Sequence, residues 1–303
     1  MTEIIDKCFP AMGTICSVMI YGTENRVHAQ QAKNYILELD KKWSVFRAES
    51  EISQLNRTSG KYDIPVSDDT QEILRQSIRY GYITGGAFDV TTGPLTEMWR
   101  QAAKKQRIPS SGKIRKMTEN VNFRKLHVNE NRAFFDIPEG QVDLGGIAKG
   151  FALDRILKML RKNGVEQAIV NLGGTIGIIG EPHMVGIQNP MAETGCCMGS
   201  VLLNNKCMVT SGSYERFHMI RKKKYHHIID PRTGKPADTG ICSVTLLGEC
   251  ACKMDALATA ALILGPEKAL PILTAHRMEA VFVMDNGDVR VTCGMQNSFR
   301  MTA

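Results

Sequence analysis

The second half of the chain consists mainly of short apolar segments separated by glycine-containing turns, and only two helix-like stretches interrupt them. Because these strand-like segments do not alternate regularly with helices, the pattern argues against a doubly wound parallel sheet. The pattern predicts an α+β fold in which mixed or antiparallel sheets pack against helices. The segments predicted as strands are 14–20, 167–171, 176–179, 184–188, 200–204, 226–229, 241–247, 280–284 and 288–292.

Helices are predicted where apolar side chains recur at steps of three and four residues. The first predicted helix follows Thr23, a candidate N-terminal cap. Its apolar stripe is Ala29, Ala32, Ile36, Leu39 and Trp43. The other predicted helices are 68–83, 147–162 and 253–264. Each of these three is followed by glycine, which commonly ends a helix.

The length of 303 residues fits one large domain or two small ones. No internal repeat or linker divides the chain, so we interpret residues 1–303 as a single domain with a polar, exposed excursion at about 104–122. No segment approaches the roughly 20 apolar residues of a membrane span. Residues 1–13 carry two acids and lack the apolar core of a signal peptide, so a cytoplasmic location is expected.

The formal net charge of +7 raises the possibility of a nucleic-acid partner. Its main support is the basic run at 221–224, which lies between two strand-like segments and is also typical of a solvated hairpin tip. No helix-turn-helix, zinc module or RNA-binding aromatic motif accompanies it. The sequence therefore favours no nucleic-acid partner, and the run could instead meet an acidic protein surface.

Glycine-rich segments are the candidates for ligand binding, because a backbone without Cβ atoms can approach a ligand closely. Segment 142–150 opens a predicted helix and carries Lys149 in the first turn. A lysine there opposes the helix dipole, which favours a bound phosphate or pyrophosphate over a purely structural role. The segment matches neither the Walker nor the Rossmann glycine pattern. The glycines at 84–91 and 171–174 are also explained by tight turns.

Asp255 and Thr259 stand four residues apart on a predicted helix and therefore share one face. Carboxylate and hydroxyl oxygens are hard ligands, and Mg²⁺ commonly takes one or two protein oxygens and completes its shell with water and substrate phosphates. The apolar neighbours of Asp255 suggest burial, and a buried carboxylate needs a cation or hydrogen-bond donors. This pair is a candidate Mg²⁺ site.

Taken together, these segments resemble the FAD:protein FMN transferases of the ApbE family. The matching motifs follow the family's order and cover nearly the whole chain. They are AMGT at 11–14, SEISQLN at 50–56, TGGAFDVT at 84–91 with GPL at 93–95 and Trp99, DLGGIAKG at 143–150 with Asp154, NLGG at 171–174, SGSY at 211–214, HIIDPRTG at 227–234 and DALAT at 255–259.

The resemblance implies an ApbE-like, T-fold-like architecture with a ligand cleft between two lobes. It also implies an activity: FAD is bound with Mg²⁺, its pyrophosphate is cleaved, FMN is transferred to a Thr or Ser hydroxyl of an acceptor flavoprotein, and AMP leaves. The oligomeric state is left open.

The resemblance assigns roles to individual residues. The catalytic residues would be His227, which would deprotonate or position the hydroxyl, and Asp255. Mg²⁺ would be held by Asp255, Thr259 and the backbone carbonyl of Gly146. The FAD site would comprise Met12, Phe46, Asn56, Ala87, Phe88, Asp89, Asp143, Lys149 and Ile228.

Two positions depart from the family's pattern. Phe46 stands where many members carry a tyrosine that packs on the flavin, so stacking is kept and the hydroxyl is lost. Ala258 stands where some members offer a further carboxylate to the metal.

Two other functions fit the same residues. An FAD pyrophosphatase would use water in place of the acceptor hydroxyl and release FMN and AMP. A non-catalytic flavin or nucleic-acid binder would bind without turnover.

Overall fold

The structure, a computed structural model, describes residues 4–22, 25–296 and 298–301. The strands are β1 (Ile4–Ala11), β2 (Thr14–Tyr21), β3 (Ile64–Pro65), β4 (Leu126–Asn129), β5 (Arg132–Phe135), β6 (Ala168–Leu172), β7 (Thr175–Ile179), β8 (His183–Gln188), β9 (Cys197–Leu203), β10 (Cys207–Gly212), β11 (Phe217–Ile220), β12 (Lys223–His226), β13 (Ile229–Asp230), β14 (Lys235–Pro236), β15 (Ile241–Gly248), β16 (Glu279–Met284), β17 (Val289–Val291) and β18 (Phe299–Met301). The α-helices are α1 (Arg26–Trp43), α2 (Glu51–Arg57), α3 (Asp68–Ile83), α4 (Gly93–Lys104), α5 (Ser111–Thr118), α6 (Ala148–Lys162), α7 (Ala251–Leu264) and α8 (Pro266–Ala275).

An eight-stranded sheet forms the middle of the fold, in the order β1-β2-β6-β7-β10-β15-β16-β17. All of its neighbouring strands pair antiparallel. Tight turns join β1 to β2 and β6 to β7, so these strands pair directly, whereas β10 and β15 meet across a longer connection. The predicted α+β class is confirmed, and the sheets are antiparallel.

Both faces of this sheet are covered, as the alternation along β16 makes clear. Ala280, Phe282 and Met284 point into the largest core, while Val281 and Val283 point into a second one. Helices cover the first face, and the three-stranded sheet β18-β9-β8 covers the second. Strands buried on both faces read as continuous apolar runs, which is why β15 and β16 were predictable from sequence.

Helices α1, α6 and α7 form the layer on the first face. The predicted stripe of α1 is buried, and the helix begins at Arg26; the proposed cap Thr23 lies outside the described residues. Helix α3 has the predicted bounds, while α6 begins one residue later than predicted and α7 two residues earlier. Helix α7 is buried on nearly all sides because it lies between the sheet, α6 and α8. Among the described helices, none is both long and apolar enough to cross a membrane.

The predicted strand 226–229 is wrong, because the backbone changes partner within it. Strand β12 ends at His226, having paired with β11, and β13 begins at Ile229 and pairs with β14. Between them the N–H of His227 still bonds to the Arg216 carbonyl, while the carbonyl of Ile228 accepts from Ala237. The chain therefore bends at His227, where a continuous strand was expected.

The segment 104–122 is mainly exposed, as expected, but it contains a helix that the polar composition did not indicate. Helix α5 is anchored by the buried Ile114, which packs into a third core with Leu95 and Trp99. The helix also lies against the turn at Gly234, where an added Cβ would come within 2.5 Å of Thr118 Oγ1. Two apolar side chains in eight residues, Ile114 and Met117, are too weak a periodicity to predict a helix.

Candidate active site

The candidate site is built around the crossing of α6 and α7. The backbone N–H of Gly150 donates to Asp255 Oδ2 at 2.9 Å. An added Cβ on Gly150 would lie 2.3 Å from the carbonyl oxygen of Ala251, so only glycine permits this approach. Asp255 is 2% exposed and makes no ion pair within the described residues. A buried carboxylate with one hydrogen-bond donor and no cation is incompletely compensated, which is a feature of ligand sites.

Asp154 fixes the start of α7. Its carboxylate accepts from the backbone N–H groups of Ala251 and Cys252 at 2.8 and 2.9 Å, and from Cys250 Sγ at 3.3 Å. An acid from α6 thus caps α7, whose own N-cap residue, Cys250, makes no side-chain bond to the helix backbone. Burial raises the pKa of Asp154, and these hydrogen bonds oppose that rise. Sequence reasoning gave Asp154 no role, since a cap from another helix leaves no local signal.

Thr259 lies one turn beyond Asp255 and brings further oxygens to the same place. Its Oγ1 donates to the Asp255 carbonyl at 3.1 Å and lies 3.3 Å from Ser211 Oγ on β10. An added Cβ on Gly146 would lie 3.1 Å from Thr259 Oγ1. The predicted metal residues Gly146, Asp255 and Thr259 are therefore neighbours, and Ser211 adds a hydroxyl that was not predicted.

The loop before α6 is held in place by Asn56 of α2. The Asn56 amide accepts from the N–H of Val142 at 2.7 Å and donates to its carbonyl at 3.1 Å. The next residue, Asp143, accepts from the N–H of Gly145 at 2.9 Å and donates its own N–H to the Val90 carbonyl at 2.8 Å. Asn56 therefore acts on the loop backbone, and Asp143 closes the tight turn that leads into α6.

Lys149 lies half-buried in the first turn of α6 and makes no hydrogen bond or ion pair within the described residues. Its positive charge lowers the pKa of both Glu215 and His227. Burial has the larger, opposite effect on Glu215 and raises the pKa of that carboxyl. An unpaired cation at a helix N-terminus is suited to an anionic ligand. Glu215 was not predicted from the sequence. It lies close enough to Lys149 and Asp255 for both charges to affect its pKa.

The segment 84–91 is folded against itself. Ala87 and Phe88 are buried in the main core. The Asp89 carboxylate accepts from the N–H and hydroxyl of Thr91 and from the N–H of Phe123, at 2.6 to 3.1 Å. Burial raises the pKa of Asp89, and these bonds oppose the rise. Asp89 therefore organises the loop, while Phe88 reaches the site, its ring edge lying 3.3 Å from the Cβ position of Gly146.

The turn between β1 and β2 carries Met12 and is bonded to the segment that precedes the histidines. Met12 and Gly13 both have positive φ, and the N–H of Met12 donates to Asp40 Oδ1 at 2.8 Å. The carbonyl of Gly13 accepts from Arg216 Nη2 at 2.6 Å. Arg216 therefore links this turn to the segment that carries the histidines.

His227 has a defined tautomer. Its Nδ1 lies 2.9 Å from the carbonyl oxygen of Arg216, and since a carbonyl only accepts, Nδ1 carries the proton and Nε2 keeps its lone pair. Burial lowers the pKa of His227 to about 4, and the charges of Arg216 and Lys149 add to that effect. The imidazole is thus neutral near pH 7 and has a basic nitrogen available. The neighbouring Ile228 is buried in the main core.

The comparisons with known proteins identify the family of this chain. The sequence profile of the ApbE family matches residues 12–282. This chain belongs to the ApbE family. Its relatives include the FAD:protein FMN transferase of Klebsiella pneumoniae (strain 342), which is 31% identical over 269 residues, 86% of this chain and 85% of the relative. The FAD:protein FMN transferase of Escherichia coli (strain K12) is 30% identical over 301 residues, 95% of this chain and 86% of the relative.

Solved structures support the same membership. The ApbE protein of Thermotoga maritima is 25% identical and superposes with a TM-score of 0.91, covering 98% of this chain and 99% of its own. The flavin transferase ApbE of Vibrio cholerae is also 25% identical, with a TM-score of 0.83 and the same coverage. The predicted family and ApbE-like fold are therefore confirmed.

One residue predicted for the FAD site of this ApbE family member stands apart from the buried cluster. Phe46 lies in the connection between α1 and α2 and is 77% exposed. The guanidinium of Arg100 lies 5.2 Å from its ring centroid. Most of this side chain is open to solvent and could contact a planar ligand.

The oxygens of this ApbE site fit a hard cation. Asp255 supplies one buried carboxylate, and the other candidate donors are the Thr259 hydroxyl and the Gly146 backbone. Ala258 is fully buried and adds no ligand. No group of three or more His, Cys, Asp or Glu side chains suited to a metal occurs among the described residues. One carboxylate with neutral oxygens matches Mg²⁺, which keeps several waters and shares substrate phosphates.

Proposed function

We propose that this protein catalyses the Mg²⁺-dependent transfer of FMN from FAD to a Thr or Ser hydroxyl of an acceptor flavoprotein, releasing AMP. The observation that carries the proposal is the buried carboxylate of Asp255, which has one backbone donor, no ion-pair partner in the described part of the chain, and Thr259 and Lys149 nearby. The Asp255 carboxylate needs a cation, which Mg²⁺ would supply. The Lys149 ammonium needs an anion, which the diphosphate of FAD would supply. The FMN transferase activity of the relatives agrees with it.

Asp255, the Thr259 hydroxyl and the Gly146 carbonyl would hold Mg²⁺. A bound Mg²⁺ neutralises phosphate charge and polarises the phosphoryl oxygens. Lys149 would contact the pyrophosphate, since its ammonium group has no partner among the residues that the structure describes. Asp154 and Gly150 act indirectly, because they fix α7 and the direction of the Asp255 side chain.

The remaining predicted residues would form the FAD site in three ways. Phe46 would offer an exposed ring to the isoalloxazine, Phe88 would border the site beside Gly146, and Met12 would contact FAD from the turn between β1 and β2. Asn56, Asp89 and Asp143 bond mainly to backbone, so we assign them the shaping of the loops that contact FAD. Ala87 and Ile228 are buried in the core and would stabilise these loops by their packing there.

The proposed chemical step is a single displacement at the phosphorus of the FMN half of FAD. The acceptor hydroxyl oxygen forms a P–O bond, the bond to the bridging pyrophosphate oxygen breaks, and that oxygen leaves on AMP. The hydroxyl proton moves to Nε2 of His227, whose lone pair is available because Nδ1 donates to the Arg216 carbonyl. Positioning and charge neutralisation supply most of the rate in phosphoryl transfer.

The test is incubation of the protein with FAD and Mg²⁺, with and without a co-expressed candidate acceptor. Transfer predicts an FMN-sized mass increase on a threonine or serine of the acceptor, together with AMP. Asp255→Ala should reduce turnover at least about a hundredfold with the fold retained. Asp255→Asn is the matched variant, since its amide oxygen still accepts from Gly150 while the charge is lost.

Three other results would contradict the proposal. Free FMN and AMP formed at the same rate without an acceptor would assign FAD hydrolysis. FAD that is bound but never consumed would assign a non-catalytic flavin binder. Full activity in Asp255→Ala would remove the metal assignment.

A further inference from the structure

A two-stranded hairpin connects the candidate site to a strongly basic surface. Strands β11 and β12 pair from Phe217 with His226 to Ile220 with Lys223. Arg216 precedes β11 and His227 follows β12, so the open end of the hairpin lies at the site. The turn at Arg221 and Lys222, both with positive φ, lies at the far end. Four residue pairs at about 3.4 Å each place the turn roughly 14 Å from His227.

The hairpin is held against the end of α4. The Gln106 side chain donates to the Met219 carbonyl at 2.7 Å and accepts from the N–H of Arg221 at 3.1 Å. The Tyr225 ring stacks on Trp99 of α4, with centroids 5.3 Å apart. The basic residues on both sides of Gln106 are thereby brought beside the hairpin turn. The basic patch is Lys104, Lys105, Arg107, Arg221, Lys222, Lys223 and Lys224.

All seven cations are exposed, and none of them forms an ion pair within the described residues. Like charges gathered on one surface repel each other. Such a surface attracts an anionic partner and steers its approach. Because the basic patch lies at a fixed distance from His227, an anionic protein bound to the patch would bring a neighbouring segment of its own chain to the site.

The aromatic side chains of the hairpin favour a protein over a nucleic acid. Lys224 Nζ lies 4.7 Å from the Phe217 ring centroid, and the Tyr225 ring is covered by Trp99 and approached by Lys223. Single-stranded nucleic acids need free aromatic faces on which bases stack. Phe217 and Met219 are each 42% exposed, and aromatic side chains, methionine and arginine are enriched in protein interfaces.

We propose that the basic patch docks an acidic segment of the acceptor protein, placed so that the accepting hydroxyl reaches His227. This inference rests on the proposed function for the identity of the partner. The distance of roughly 14 Å corresponds to about four residues of extended chain. The acidic residues are therefore expected four to six residues from the accepting threonine or serine.

The test uses three fluorescently labelled peptides with a central threonine. They carry three aspartates, three serines or three lysines at positions four to six from the threonine. Binding to the full chain is measured by anisotropy without FAD or Mg²⁺, and FMN transfer is measured separately by mass spectrometry. The test variant combines Lys222→Ala, Lys223→Ala and Lys224→Ala. The control combines Lys158→Ala, Arg161→Ala and Lys162→Ala, three exposed cations on α6.

We expect the wild type to bind the aspartate peptide most tightly. The hairpin triple variant should lose about tenfold in that affinity, a factor of roughly two to three for each exposed charge. The α6 triple variant should match the wild type, and all three proteins should bind FAD equally. Raising the salt concentration should remove the preference, because exposed charges are screened.

The inference is overturned if both triple variants bind the aspartate peptide equally well, or if the serine peptide binds as tightly as the aspartate peptide. Duplex DNA that binds more tightly than the aspartate peptide through the same lysines would assign the patch to nucleic acid. Selective binding without FMN transfer would contradict the proposed function while supporting an acidic-protein surface. Transfer without charge selectivity would overturn the docking surface alone.

Discussion

The backbone N–H of Gly150 on α6 donates to Oδ2 of Asp255 on α7, and the two residues lie so close that no side chain fits between the helices. This contact fixes one carboxylate oxygen of Asp255. It also ties the glycine-rich loop that precedes α6 to the helix that carries Asp255 and Thr259. The two halves of the candidate metal and phosphate site are therefore held in register by one glycine.

Gly150→Ala should damage both the fold and the site. The added Cβ would lie 2.3 Å from the Ala251 carbonyl oxygen and 2.8 Å from Asp255 Cβ, so the helices must separate. Overpacking of this kind costs about 1–3 kcal/mol. We expect the free energy of unfolding, measured in urea, to fall by that amount. FAD turnover should fall further than the stability loss explains, because Asp255 moves.

Gly112→Ala is the matched control for this change. Gly112 also lies in a helix, and an added Cβ there would meet no atom within 4 Å. Alanine is favoured over glycine in helices by up to about 1 kcal/mol, so stability should stay equal or rise. Equal effects of the two substitutions would show that close packing at Gly150 is unimportant.

Asp154→Asn should loosen the start of α7. An amide can accept only one of the two backbone N–H groups that the carboxylate now accepts, and it loses the favourable charge at the helix N-terminus. Loss of a cap costs about 1–2 kcal/mol. We expect a lower free energy of unfolding in urea. We also expect half-maximal turnover to require a higher Mg²⁺ concentration, because α7 carries Asp255 and Thr259. Asp6→Asn, on the exposed edge of β1, should leave the unfolding midpoint unchanged.

Features of the fold that depend on a local pattern were predictable from the sequence, and features that depend on an ambiguous local signal or on distant contacts were not. Helix α3 was predicted with its bounds because its apolar stripe repeats along one face. Helix α8 was missed because Gly265 and Pro266 signal a stop, yet a proline also suits the first position of a new helix.

The same distinction applies to the site. The positions of Gly146, Asp255 and Thr259 came from motifs, and the structure brings these residues together. The cap that Asp154 gives α7 and the tautomer of His227 were not predictable, because both depend on contacts between segments distant in the chain. Asp89 and Asn56 read as ligand residues in sequence, but most of their polar atoms bond to the protein itself.

Lys149→Ala should weaken FAD binding without lowering stability. The ammonium group makes no hydrogen bond or ion pair within the described part of the chain, so the fold loses no contact. A charge-assisted contact to a pyrophosphate is worth about 1.5–3 kcal/mol, which corresponds to at least about a tenfold loss in affinity. Titration of FAD fluorescence measures this loss, with Lys158→Ala as the exposed control. Unchanged affinity would mean that Lys149 is only solvated.

The pH dependence of transfer tests the assigned role of His227. Burial lowers the pKa of this imidazole to about 4, so the neutral, basic form is lost only as the pH falls toward 4. At pH 5.5, about nine tenths or more of the protein would still carry the neutral base. A histidine with an ordinary pKa near 6.5 would be only about one tenth neutral there. The rate of FMN transfer at pH 5.5 should therefore stay close to that at pH 7.5.

The linked effect on stability has a defined sign. Because the pKa of His227 is lower in the folded state than in the unfolded chain, the unfolded chain takes up the proton first. Stability from the neutral, buried imidazole is complete above about pH 6.5 and is lost as the pH falls toward 4. His227→Gln should abolish rapid transfer and also flatten this part of the stability curve in urea. A wild-type rate that halves near pH 6.5, with no change in the stability curve of the variant, would contradict a buried neutral base.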